Sequence, residues 1–172
     1  MITPQVSSQA QINKVLRSLG QSNVEFDRAL YLLEEMKNCD SAWRQYLDIL
    51  PVNMSNFPIL WSKEELSWLD GSIVKQWTDD KLALWTKGYD VLANHVHQFK
   101  DEYALQEFLE AMLLVKSRSF RLPIDGPWHD SESVLVPWAD TFNHVSVAST
   151  RWSYVSEEGR NGWYFITETN LA

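Results

Sequence analysis

The stretch of sequence that decides the fold is Leu135-Val136-Pro137-Trp138-Ala139-Asp140-Thr141-Phe142-Asn143-His144. It begins as a short apolar strand bounded by proline, and it then places Asp140, Asn143 and His144 in an otherwise apolar context. A buried polar group must be paired or must serve a ligand. The residues by themselves therefore leave two interpretations open, a polar turn that pairs internally and a ligand site.

The first part of the chain has the hydrophobic period of helices. Apolar side chains at helical spacing predict a helix over residues 12–19, ended by a glycine, and a second helix over residues 26–36. Ser41 is predicted to cap a short helix that Pro51 terminates. The sequence Ser62-Lys63-Glu64-Glu65 has the spacing of a capping box, which predicts another short helix.

The helical pattern continues to a change in composition near Lys116. After Ser72 the pattern predicts either one long helix or two abutting helices with Gly88 as the break. A further helix is expected over residues 101–115, with Asp101 in its first turn, where a carboxylate suits the helix dipole. After Lys116, prolines and alternating segments replace the helical period.

Strands are predicted only in the last third of the chain. Residues 134–137 form the apolar strand, and residues 150–155 alternate in polarity and face residues 163–167 across a turn, which predicts a hairpin. Helices followed by strands favour an α+β fold rather than a doubly wound sheet. We expect a helical region over residues 1–115 and a β-rich region over residues 116–172.

Length, charge and cysteine content limit the classes of function. The chain has 172 residues, a net charge of −8 and 45% hydrophobic residues, which predicts a folded domain with a real core. No basic run supports direct nucleic-acid binding, and no apolar stretch is long enough to span a membrane. The single Cys39 excludes an internal disulfide, so we expect an intracellular protein of the cytoplasm or nucleus. The oligomeric state is left open.

A search of the residues for catalytic motifs gives little. The sequence has no glycine-rich phosphate loop and no serine nucleophile elbow. His95 and His97 are two residues apart, so on a helix they point to different faces and do not share a metal easily. His129 stands beside Asp130, as in an ordinary surface pair. No metal site is therefore expected.

Residues 135–144 resemble the L-x-P-x-x-D-x-x-N-H segment of the SET-domain lysine methyltransferases. The resemblance is closest to the branch typified by the Rubisco large-subunit and ribosomal-protein methyltransferases. Three more segments resemble that branch in the same order. Residues 41–51 resemble S-x-W-x-x-Y-L-x-x-L-P, residues 58–72 resemble P-x-x-W…E-L…L-x-G-T, and residues 115–120 resemble V-x-S-R-x-F.

The resemblance implies methyl transfer from S-adenosyl-L-methionine to the ε-amine of a lysine in a protein or peptide. It implies that residues 1–115 are a helical SET insertion and that residues 116–172 are part of the SET core. Asn143 and His144 would hold the amino and adenine ends of the cofactor, and Arg118 would meet its carboxylate. Ser117 and Asp140 would line the lysine channel as the catalytic positions.

The sequence also departs from the family pattern. The glycine-rich strand pair that opens a SET domain and the tyrosine segment that closes it have no counterpart in these 172 residues. The chain is therefore expected to be truncated at both ends and to have weak or no activity alone. Two alternatives remain, a non-catalytic interaction module derived from a SET domain and a protein-histidine methyltransferase.

Overall fold

Helices precede strands in this α+β chain, as the sequence predicts. The computed structural model describes residues 1–7, 11–18, 24–123, 132–142, 150–157 and 160–167. The helices described are α1 Pro4–Ser7, α2 Gln11–Ser18, α3 Val24–Lys37, α4 Arg44–Leu47, α5 Lys63–Ser67, α6 Ile73–His95, α7 Phe99–Glu102 and α8 Leu105–Arg118, with 3-10 turns at Pro58–Leu60 and Ala139–Thr141. The strands described are β1 Ser119–Leu122, β2 Glu132–Leu135, β3 Thr150–Glu157 and β4 Arg160–Thr167.

The chain divides into two compact units. Residues 5–117 form a helical unit, and residues 1–4 together with residues 118–172 form a β unit. These units differ from the predicted segments in where they place residues 1–4, Lys116 and Ser117. The assignment of the two segments to a SET insertion and a SET core stays a prediction.

The core of the helical unit is built around α8. Its residues Ala111–Val115 are all buried, and Phe108 is fully buried as well, because an apolar helix surface this wide must be covered on several sides. Phe108 stacks on Phe26 of α3 at 5.9 Å between ring centroids and contacts Tyr89 of α6 at 5.8 Å. Within the described residues, no helix is both long enough and apolar enough to cross a membrane.

Helix α6 resolves the two alternatives left by its sequence pattern. It runs without a break from Ile73 to His95, so Gly88 does not separate two helices. A Cβ atom at Gly88 would lie 2.6 Å from Cζ of Phe26. The glycine therefore lets α6 approach α3 closely, which is a packing role and not a break.

Two predicted helix starts are wrong. Helix α4 begins at Arg44 with Trp43 as its N-cap, so Ser41 precedes the helix, although its hydroxyl accepts from the Trp43 N–H at 3.1 Å in the turn before it. The Ser41 hydroxyl donates to the Glu35 carboxylate of α3, and this bond ties the loop to that helix. Asp101 lies in the short helix α7 rather than at the start of α8, because the extended backbone of Tyr103 separates the two helices. The capping box of α5 and the span of α3 are confirmed.

The described residues of the β unit form two antiparallel strand pairs. β1 pairs with β2 in a register that sets Ser119 opposite Leu135, and β3 pairs with β4 from Thr150 opposite Thr167 to Glu157 opposite Arg160, as the predicted hairpin requires. Ile2 adds a bridge to the other side of β2, with its N–H donating to the Leu135 carbonyl at 2.8 Å.

Candidate active site

The register of β1 and β2 brings two distant parts of the sequence together. Ser119 at the start of β1 lies opposite Leu135 at the end of β2. In an antiparallel pair the start of one strand and the end of the other share one edge of the sheet. Arg118, immediately before β1, therefore meets Asp140, in the turn after β2.

Arg118 and Asp140 form an ion pair with two hydrogen bonds. Nη1 of Arg118 donates to Oδ2 of Asp140 at 3.1 Å and to the backbone carbonyl of Asp140 at 3.1 Å. The Asp140 side chain is only 1% exposed, whereas that of Arg118 is 23% exposed. Burying a carboxylate this deeply is costly unless it is paired and hydrogen-bonded, and Arg118 supplies a cationic partner.

The turn that carries Asp140 has an unusual backbone at Trp138. Its φ is 72° and its ψ is −37°, a conformation that L-residues with large side chains rarely adopt. The hydroxyl of Thr141 donates to the Trp138 carbonyl at 2.6 Å, and the N–H of Thr141 donates to the same oxygen at 3.2 Å. These bonds and the Arg118–Asp140 pair hold the turn, while the indole of Trp138 is 53% exposed.

The structure brings two of the five predicted site residues into contact, Arg118 and Asp140. Ser117 is the last residue of the helical unit, and its hydroxyl donates to the Leu113 carbonyl at 2.7 Å within α8. Asn143 and His144 lie outside the described residues, as does His129. The predicted roles of all five stay predictions.

The guanidinium of Arg118 can bind a carboxylate ligand. In the described part of the chain its hydrogen bonds use Nη1 alone, and Nε and Nη2 form a second edge of the guanidinium. Such an edge binds a carboxylate through two parallel N–H bonds. The residues present thus fit the carboxylate of the implied cofactor. Among the described residues, no three His, Cys, Asp or Glu side chains are grouped to hold a metal ion.

Sequence reasoning missed two features of the molecule. The backbone conformation of Trp138 has no sequence signal, because glycine or asparagine would be expected there. The second feature is an apolar groove beside α6, where Val74 and Trp77 are 42% and 63% exposed. An apolar pair on the outer side of a helix could have indicated it.

Comparisons with known proteins agree with this geometry. The chain is 32% identical over 130 residues to the chloroplastic [fructose-bisphosphate aldolase]-lysine N-methyltransferase of Arabidopsis thaliana, covering 71% of this chain and 25% of that protein. It is 29% identical over 157 residues to the chloroplastic Rubisco large-subunit N-methyltransferase of Nicotiana tabacum, covering 87% and 30%. No protein-family profile matches the chain.

Two solved structures are similar in fold and sequence. The SET domain of LSMT bound to MeLysine and AdoHcy superposes with a TM-score of 0.70 at 26% identity, over 87% of this chain and 34% of that one. Rubisco LSMT bound to sinefungin and monomethyllysine gives 0.72 at 25% identity, over 96% and 36%. The chain therefore belongs to the SET-domain methyltransferases. Within that family it belongs to the Rubisco large-subunit methyltransferase-like branch, as its motifs predict. It spans between 25% and 30% of the length of its curated relatives.

The relatives correct one expectation. The cytoplasm or nucleus was expected from the sequence, but the three curated relatives are chloroplastic proteins, so that prediction is wrong. A single exposed cysteine excludes an internal disulfide. It does not distinguish one reducing compartment from another, which is why cysteine content could not give the location.

Proposed function

We propose that this chain is part of an S-adenosyl-L-methionine-dependent protein-lysine N-methyltransferase. In this proposal residues 1–115 are the SET insertion and residues 116–172 are part of the SET core. The observation that carries the proposal is the Arg118–Asp140 pair, through which the register of β1 and β2 joins the motif segments 115–120 and 135–144. The substrate would be a lysine in a protein, as the names of the aldolase and Rubisco relatives say of those proteins.

Each predicted site residue has a role in the proposal. Arg118 would bind the cofactor carboxylate through Nε and Nη2, while Nη1 stays on Asp140. Asp140 would then have two tasks, because it fixes the guanidinium and would also line the acceptor channel, as would Ser117. Asn143 and His144 would hold the amino and adenine ends of the cofactor.

The chain's residues would contribute binding and alignment to the reaction. When bound, S-adenosyl-L-methionine supplies a methyl group that already has a good leaving group, a thioether. Arg118 and Asp140 would fix one end of the site, because alignment of amine, methyl and sulfur is the main requirement. An apolar channel disfavours the ammonium form of the acceptor lysine and so favours the neutral amine that can attack.

Titration with AdoHcy followed by two-dimensional 1H–15N NMR tests the proposal, since this method detects millimolar as well as micromolar affinities. We expect weak binding, with the largest shifts at Arg118, Asp140 and the residues after them. R118K should weaken the binding and keep a dispersed spectrum, because a lysine retains a cation for Asp140 but lacks the second edge of the guanidinium. R121A is the matched control, because Arg121 is an exposed arginine in β1 and should leave the binding unchanged.

Two outcomes would contradict the proposal. Either the wild-type chain shows no shifts at millimolar AdoHcy, or R118K binds as well as the wild type. Micromolar binding by the wild-type chain would support the function but would contradict the expectation that this chain is weak alone.

A further inference from the structure

The helical unit contains an apolar groove of about 440 Å³. It lies between the 3-10 turn Pro58–Leu60, the first half of α6 and the end of α8. Its apolar lining is Phe57, Ile59, Val74, Trp77, Trp85 and Leu113. A groove of this size holds one large apolar side chain together with part of its backbone.

The groove is lined by exposed apolar surface that the described residues do not cover. Trp77 is 63% exposed and Val74 is 42% exposed, although Trp85 on the same helix is only 2% exposed. Contiguous apolar surface of this kind marks an interaction site more often than a scattered single residue does. Trp68 is 72% exposed but does not line the groove, so it offers a comparison.

Two lysines give the groove a local excess of positive charge. Lys81 and Lys116 both line it, and in the described part of the chain both pair with the same carboxylate, that of Glu25. The Lys116 ammonium lies 2.8 Å from one Glu25 oxygen, whereas the Lys81 ammonium lies 3.8 Å from the other. Lys81 therefore keeps donors for another anion, and its side chain is 41% exposed.

The electrostatics at Glu25 agree with this excess. Partial burial by itself would raise the pKa of Glu25. The hydrogen bond from Lys116 and the charges of Lys116, Lys81 and Arg28 outweigh burial and hold the pKa below its usual value. Glu25 stays ionised at neutral pH and neutralises one of the two lysine charges.

We propose that this groove docks an acidic–apolar segment of the protein substrate, with the apolar side chain against Trp77 and the carboxylate on Lys81. The proposal rests on the proposed function in identifying the partner as the substrate. Ser117 lines the groove and directly precedes Arg118 in the chain, so the groove and the candidate active site are consecutive in sequence. By binding this segment, the groove would favour methylation of substrate lysines that have such a segment nearby.

Three short peptides would test the docking, and only the third of them contains a lysine, in place of the tested glutamate. They are acetyl-Ser-Gly-Leu-Glu-Gly-Ser-amide, its Leu-to-Ala variant and its Glu-to-Lys variant, each titrated into the full chain and followed by the indole N–H signal of Trp77. The Leu-Glu peptide should bind about tenfold more tightly than the Leu-Lys peptide, since an attraction becomes a repulsion. The Ala-Glu peptide should bind more weakly than the Leu-Glu peptide.

Variants separate the groove from other surfaces. W77A should lose the binding of the Leu-Glu peptide and W68A should keep it, and we expect both variants to fold because both residues are largely exposed. K81E should reverse the preference between the Leu-Glu and Leu-Lys peptides. Equal affinity for those two peptides, no binding, or an unchanged affinity in W77A would overturn the proposal. So would Trp77 shifts that depend on protein concentration without peptide, because a second copy would then be the occupant.

The proposed function fails or holds separately, in the titration with AdoHcy. If the chain prefers the Leu-Glu peptide but does not bind AdoHcy, the docking proposal holds and the methyltransferase proposal fails. If it binds AdoHcy but shows no peptide preference, the methyltransferase proposal holds and the docking proposal fails.

Discussion

Replacing Arg118 by alanine should destabilise the β unit strongly. The substitution removes the Arg118 cation from the Asp140 carboxylate, which is only 1% exposed. Removing one member of a buried ion pair costs about 3–5 kcal/mol, because the remaining charge is left uncompensated in a medium of low dielectric constant. We therefore expect R118A to lower the free energy of unfolding of the β unit by about this amount.

Replacing Asp140 by asparagine should lower the free energy of unfolding less than R118A does. D140N leaves Arg118 with a side chain that is 23% exposed and can be solvated by water. The asparagine oxygen still accepts a hydrogen bond, so we expect a loss of about 1–2 kcal/mol. The order of the two effects follows from the difference in burial between the two side chains, and it is therefore the sharper part of the prediction.

Native-state amide hydrogen exchange measures both effects, because it reports the β unit apart from the helical unit. Amides of β1 and β2 should exchange faster in R118A than in D140N, and amides of α6 should change little in either. R121A should stay within about 0.5 kcal/mol of the wild type. The reasoning is refuted if D140N costs more than R118A, or if R118A costs less than about 1 kcal/mol.

Three further predictions concern the backbone, the packing and the acid dependence. The free energy of unfolding of W138G should exceed that of W138A by at least about 1 kcal/mol, because glycine adopts positive φ freely. Urea unfolding of the two variants measures this difference. G88A should lower the thermal midpoint although alanine favours helices by about 1 kcal/mol, since its Cβ would overlap Phe26; F26L should restore part of the loss. The lowered pKa of Glu25 gives stability that is present above the unfolded pKa, about 4.3, and is lost as the pH falls through the lower folded value. The urea midpoint of E25Q should therefore fall less than that of the wild type as the pH is lowered from neutral to acidic.

The sequence predicted best the elements that local chemistry determines. The apolar stripe over residues 26–36 corresponds to α3, Val24–Lys37, because its signal repeats over several turns. The capping box at Ser62 and Glu65 forms as expected, since all its bonds lie within four residues. The hairpin of β3 and β4 is equally local.

The features that the sequence did not predict depend on distant partners. Gly88 looked like a helix break because its packing neighbour, Phe26, is 62 residues away in the numbering and invisible to a local pattern. Ser41 looked like a helix cap because nothing local shows that its hydroxyl reaches Glu35. The contact between Arg118 and Asp140 needs the register of β1 and β2, and no residue type encodes that register by itself.

Local charge, rather than net charge, should decide which partner binds. A net charge of −8 suggests a basic partner, yet carboxylates such as Glu65 in its capping box and Asp79 beside Lys75 are engaged within their own helices. At the groove the balance is reversed, since Lys81 shares a single carboxylate with a second lysine. K81E and K87E change the net charge equally, but Lys87 lies outside the groove. If net charge governed binding, both variants would weaken the Leu-Glu peptide alike, whereas local charge requires that K81E alone reverses the preference.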